Sequence, residues 1–254
     1  MDEDGSSVAV GKSGSEHSHS ARLKKAGEIK AMGRAFATVK KRQKANIARV
    51  ADLENRKQRL LQTRKESIGN AGLLKQAVES LERNGIRVRM TGTREEAVSL
   101  VLAELAGEKL VVKSKSNLTK ELGLTEALTD KGVEVVETDI GDRIVQIIGE
   151  KPSHPTGPAS HLSKQEIADR LSAHFGHRIK PMAEDIVGLV RDEIAAYISS
   201  ASVGITGANA IAAEEGAVLL MHNEGNIIQV ATRPGKHIIL AGIDKIYSNI
   251  EEAL

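Results

Sequence analysis

The chain contains no cysteine and no tryptophan, and only two phenylalanines and two tyrosines stand among its 254 residues. Without cysteine there are no disulfides, no thiolate zinc site and no iron–sulfur cluster held by this chain's own thiolates. Aromatic residues make up 2% of the sequence, so the flat platforms on which single-stranded nucleic acid stacks are scarce, and a nucleic-acid role is disfavoured. No apolar run approaches the roughly 18 residues that a membrane span needs. The opening MDEDGSS lacks the basic and apolar regions of a secretory signal. The expectation is a cytoplasmic protein with an aliphatic core, in one large α/β domain or two small ones.

What is present falls into three zones. Residues 1–20 hold too few apolar groups to offset the entropy of ordering and read as a disordered tail. His17 and His19 within it amount to a weak metal tract or to plain solvated residues. Residues 21–68 form a basic extension, with about 15 lysines and arginines by Lys65 against about three acids. Its apolar residues Phe36, Val39, Ile47, Val50 and Leu53 recur near helical spacing, which predicts a basic amphipathic helix or helix pair. Because the net charge of the whole chain is only +2, the remaining body is acidic. The extension therefore has three candidate resting places: its own body, an acidic partner or a polyanion.

Residues 69–254 read as a third unit in which helix and strand alternate. The spacing predicts a helix over 73–83 stopped by Asn84 and Gly85, a strand over 86–90, and a helix over 93–105 opened by a Thr93/Glu96 capping box. A strand over 109–112, a helix over 117–131 closed by Gly132 and a strand over 133–136 follow. Residues 163–199 are helical with a break at Pro181, and strands return over 203–206, 217–222, 227–230 and 237–241. Asn223 to Asn226, rich in asparagine and glycine, suggests a hairpin between two of these. The fold class is α/β with a mixed, mainly parallel sheet.

Ligands in such sheets bind beyond the carboxyl ends of parallel strands, and polar residues gather at those ends here. Lys113, Ser114, Lys115 and Ser116 follow one strand and open a helix, making either an anion cradle or a capped turn with solvated lysines. Glu137, Thr138 and Asp139 follow the next, as a hydroxyl or metal ligand, a base, or a simple helix cap. Ser153, His154 and His161 lie in KPSHPTGPASH, a loop too rich in proline and glycine to be regular, where histidine suits proton transfer, metal ligation or a structural hydrogen bond. In GITGANAIAAEEG, Thr206 and Gly207 end a strand, and Asn209 is expected to start a helix that Glu214 or Glu215 ends against its dipole. Asn223, Glu224 and Asn226 complete a second polar cluster, with Glu224 either a chemical carboxylate or a turn residue.

The segments VVKSKSNLTKELGLTEAL, VEVVETDIGDRIVQIIGEKPSHPTGPASH, VGITGANAIAAEEGAVLLMHNEGN and HIILAGIDKI, in this order and with the GTREEA helix start, resemble the LUD domain of LutB-type lactate-utilisation proteins. The resemblance covers about residues 70–250. It implies a fold of the NagB/RpiA/CoA-transferase-like type and a part in oxidising L-lactate to pyruvate within a multi-subunit assembly. LutB-type subunits continue into a cysteine-rich, ferredoxin-like module, and this sequence has no cysteine. Iron–sulfur or flavin groups are then expected only on partner subunits. The chain departs from the family pattern at Asn117 and Arg143.

The leading reading is a small-anion-binding subunit of lactate oxidation that docks to redox partners. In it Lys113, Lys115 and Ser116 hold the anion, Glu137, Asp139 and His154 line the pocket, and Glu224 faces it. A second is a stand-alone acyl- or CoA-handling enzyme with Glu224 as nucleophile. A third is a noncatalytic regulator whose basic helix contacts a partner.

Overall fold

A computed structural model describes residues 13–154 and 157–254 of the chain. Helix α1 (Ser13–Ile47) and helix α2 (Leu53–Ser67) form the basic extension, and α3 (Ala71–Arg83) and α4 (Arg94–Leu105) lead into the body. Then come β1 (Leu110–Lys113), α5 (Asn117–Glu121), α6 (Leu124–Thr129), β2 (Glu134–Glu137) and α7 (Ile140–Ile147). Helices α8 (Lys164–Phe175) and α9 (Ala183–Ser200) precede β3 (Val203–Gly207), β4 (Ala210–Ala212) and β5 (Ala217–Leu219). Helix α10 (Asn226–Thr232), β6 (Lys236–Leu240), β7 (Ile246–Tyr247) and α11 (Ile250–Ala253) complete the order.

Strands β2, β1, β3 and β6 make a parallel sheet in that order, while β5, β4 and β7 form a smaller sheet with one antiparallel and one parallel pairing. The α/β expectation with mainly parallel pairing therefore holds. Successive strand residues face opposite sides of a sheet, and the valine pairs show it. Val111 and Val135 pack into a core with Leu105, Leu124 and Leu128. Val112 and Val136 pack on the other side with Leu171, Val190 and Ile194. Both faces are covered, which is why these strands are near-continuous valine.

Local signals place the helix starts. Thr93 and Ser163 each accept from the backbone three residues on while Glu96 and Glu166 reach back, so both α4 and α8 open with complete capping boxes. Arg143 on α7 forms a bidentate pair with Glu193 on α9, with Nε 2.9 Å from Oε2, and stacks over the Tyr197 ring at 5.0 Å. Burial acts to lower the Arg143 pKa, but the Glu193 carboxylate outweighs it and leaves it raised. Arg143 thus joins α7 to α9. Gln146 on α7 hydrogen-bonds the β2 backbone twice, donating to Val135 O at 2.5 Å and accepting from Glu137 N at 3.1 Å.

Several sequence expectations are corrected. Residues 86–90 form no strand: Ile86 and Met90 stay 37% and 54% exposed, and Ile86 N instead closes the end of α3 on Leu81 O. The predicted helix at Asn209 is strand β4, whose Ala210, Ile211 and Ala212 are buried and whose backbone pairs with β5 and β7. Glu214 and Glu215 sit in the turn to β5, where Gly216 adopts φ +61°. The hairpin over 223–226 is also absent. Gly225, at φ +76°, starts helix α10, which buries Val230. That helix lies so close to β3 that a Cβ on Gly204 would stand 2.0 Å from Val230 O. The expected helix over 117–131 is split in two at Gly123.

Residues 13–20, expected within a disordered tail, belong to α1. The rest of that tail, and the side chains of His17 and His19, lie outside the described residues. Helix α2 is tied to the body through Ser67, which donates to Ile246 O, and Arg64, which reaches the Tyr247 hydroxyl. Among the described residues, no helix is long and apolar enough to cross a membrane.

Candidate functional site

The carboxyl ends of β1, β2 and β3 bring together most of the first polar cluster. Register sets Lys113 beside Glu137 on one side and Ile205 on the other. Lys113 is fully buried, and its Nζ lies 2.9 Å from Glu137 Oε1 and 3.3 Å from Thr119 Oγ1. Glu137 Oε1 also accepts from Thr125 Oγ1 at 3.3 Å, while Oε2 is buried without a hydrogen-bond partner. Ser114 is buried with its N–H on Ile205 O, and Thr138 donates both N–H and Oγ1 to Lys113 O. These residues close the base of the site.

The rim is more open. Lys115 and Asp139 have side chains 25% and 23% exposed, 3.6 Å apart. Asp139 caps α7 through Asp142 N, and Asp142, almost wholly buried, faces two ammonium groups, Lys115 at 3.1 Å and Lys120 at 3.0 Å. Its Oδ2 stands within ion-pairing distance of Lys115 yet forms no hydrogen bond. A sealed Lys113–Glu137 pair therefore lies at the strand ends, and Asp139, Lys115, Asp142 and Lys120 form a run of alternating charge at the rim. Ser116 caps α5 at Thr119 N and abuts Gly207, where a Cβ would come 2.6 Å from the Ser116 hydroxyl.

The two polar clusters of the sequence meet through Asn226, whose Nδ2 donates to Thr138 O at 3.1 Å. Apart from Gly207, the other members of the second cluster are dispersed. Asn209 binds Met221 N as part of the β4–β5 hairpin, and Asn223 and Glu224 are exposed in the turn before α10. Thr206 is buried against His237, Oγ1 to Nε2 2.8 Å, and burial pushes His237 below its ordinary pKa.

The proline- and glycine-rich loop folds beside the rim, with Pro158 within 3.2 Å of where a Cβ on Gly141 would stand. Ser153 serves that loop, its Oγ donating to Pro158 O at 3.1 Å and lying 3.3 Å from Ser160 Oγ. His154 meets the Phe36 ring edge-on at 4.6 Å. His161 Nε2 lies 2.8 Å from Glu150 Oε2, with Arg170 at 2.6 Å from Oε1, while His161 Nδ1 is buried without a partner. The His161 hydrogen bond holds Glu150 below the usual carboxylate range, burial opposes it and Arg170 adds to it.

Lys120, Asp142, Glu150, Arg170 and His237 escaped the sequence reading. Asp142 and Lys120 carry a signal in retrospect, since each lies about one helical turn beyond a capping residue, on the side that faces the strand ends. Glu150 and His237 carry none, because their partners come from distant segments.

The family model for the LUD domain matches residues 74–254. With that match over most of its length, the chain belongs to the LUD domain family. Among relatives, it is 33% identical over 238 residues to the "Uncharacterized electron transport protein YkgF" of Escherichia coli K12, covering 91% of this chain and 50% of that protein. It is 35% identical to "Lactate utilization protein B" of Oceanobacillus iheyensis and 37% identical to that of Shouchella clausii, in each case over 70% of this chain and 38% of the relative. The chain thus spans half or less of the length of these curated relatives. No solved structure matches it significantly.

Proposed function

We propose that this LUD domain serves lactate utilisation: it binds a small 2-hydroxy acid at the strand ends, as part of an assembly that oxidises L-lactate to pyruvate. The carrying observation is Lys115, a partly exposed ammonium shared between Asp139 and Asp142 at the rim of a charged strand-end cluster. A substrate carboxylate competes for that ammonium. Asp139, the most open carboxylate of the cluster, accepts the substrate hydroxyl. The names of the relatives support the metabolic setting.

Lactate oxidation to pyruvate releases two electrons and two protons, and the electrons need an acceptor. The residues of this chain do not fit a thiolate-held cluster, since there is no cysteine. Nor do the described residues gather three or more His, Asp or Glu side chains suited to a metal ion. The proposed acceptor is an iron–sulfur or flavin-bearing redox partner, to which this chain docks.

Thermal unfolding with L-lactate, glycolate, sugar phosphates and CoA esters tests the reading. A ligand at about 100 times its Kd adds about 2.7 kcal/mol, an upward shift of about 5–10 °C for a chain of this size. L-Lactate or glycolate raises the midpoint of the parent protein and not of K115M. No response to any 2-hydroxy acid, or an undiminished response in K115M, overturns the proposal.

A further inference from the structure

We propose that α1 is a dimerisation arm whose basic, apolar face docks on an acidic, apolar ledge of a second copy of this chain, reciprocally. The arm carries one half of the match. Ile29, Val39, Ile47 and Val50 are 62, 58, 43 and 42% exposed with the rest of the chain in place, so the body does not cover them. Val39, Gln43 and Ile47 recur every fourth residue on one side of the helix, and with Arg42, Asn46 and Val50 they line a shallow groove. Lys40 and Lys44 flank it beside Arg42, all three exposed.

The ledge carries the other half. Glu214 and Glu215 in the β4–β5 turn and Glu251 and Glu252 on α11 are exposed. The Glu215 carboxylate accepts from Ile250 N with both oxygens, at 3.2 and 3.1 Å, which binds the turn to α11 and sets Ile250, 37% exposed, among the acids. Basic residues beside apolar ones on the arm thus meet acidic residues beside an apolar one on the ledge. Like charge opposes arm-to-arm pairing. Reciprocal exchange lets each copy supply both halves, and a two-fold axis closes the contact after two chains.

Sedimentation velocity of the full chain across a concentration series tests the arm. The expected result is a dimer at about 50 mM salt that weakens at about 500 mM. Circular dichroism checks that each variant keeps its helix content. V39E/I47E weakens the dimer at least about tenfold, as burying unpaired charge requires. K40E/R42E and E214K/E251K each weaken it, and their combination in one chain restores it. A monomer at every concentration, a dimer indifferent to V39E/I47E, or no restoration on combining the charge reversals overturns the proposal. So does retention of a polyanion such as heparin by a protein that stays monomeric at low salt.

Discussion

Replacing Lys113 with methionine strips one charge from a pair that has almost no water. The two side chains are 1% and 10% exposed, and the ammonium lies 2.9 Å from the carboxylate. At that separation and an effective dielectric of ~20 the attraction is about 6 kcal/mol, set against a desolvation cost of several kcal/mol for each ion. The intact pair is therefore worth little net, while a broken one is costly. K113M leaves Glu137 with the Thr125 hydroxyl on Oε1 and nothing on Oε2. E137Q leaves the Lys113 ammonium with Thr119 and a neutral amide. Each single variant is expected to lose about 3–5 kcal/mol, a fall in Tm of about 6–20 °C.

The double variant K113M/E137Q removes both charges and keeps both volumes. It loses about 1 kcal/mol, so the coupling between the two positions is about 5 kcal/mol or more. Calorimetry and urea midpoints on the four proteins measure the cycle. Single variants that cost under about 1 kcal/mol, or losses that simply add, refute the view that this ion pair closes the base of the site.

Glu150 gives a pH signature. Its folded pKa lies below the unfolded value because His161 and Arg170 favour the charged form. The stability it contributes is therefore fully present above the ordinary carboxylate range and is lost as pH falls through the folded pKa. E150Q flattens the acid limb of a urea-midpoint-against-pH curve, and an unchanged limb refutes the assignment. Gly204→Ala sets a Cβ 2.0 Å from Val230 O, so α10 must shift off β3. A loss of about 2 kcal/mol or more follows, measured as a drop in Tm, and a variant as stable as the parent contradicts the close approach.

The elements that the sequence revealed best were those whose signals are local. Valine runs bounded by turns marked β1 and β2, and the Thr93/Glu96 capping box announced α4. The errors arose where tertiary packing decided. Ile227 to Val230 has a strand-like composition, yet the space over Gly204 accepts a helix. Ala210 to Ala212 favours helix by propensity, yet its pairing with β5 and β7 makes it a strand. In the candidate site, the strand-end position of Lys113, Lys115, Glu137 and Asp139 was legible because β/α alternation fixes where such residues go. Their division into a sealed pair and an open rim was not, since it depends on Asp142, Thr119 and Thr125 from neighbouring helices.

Gln146 has a bearing on solubility as well as on packing. Strand β2 is an outer strand of the parallel sheet, and an outer strand offers its free backbone groups to any other chain that can lie alongside. The Gln146 amide engages Val135 O and Glu137 N, a carbonyl and an N–H two residues apart. It thereby imitates one peptide unit of a missing neighbour strand. A single side chain, held by the helix that follows β2, stoppers this border against edge-to-edge association.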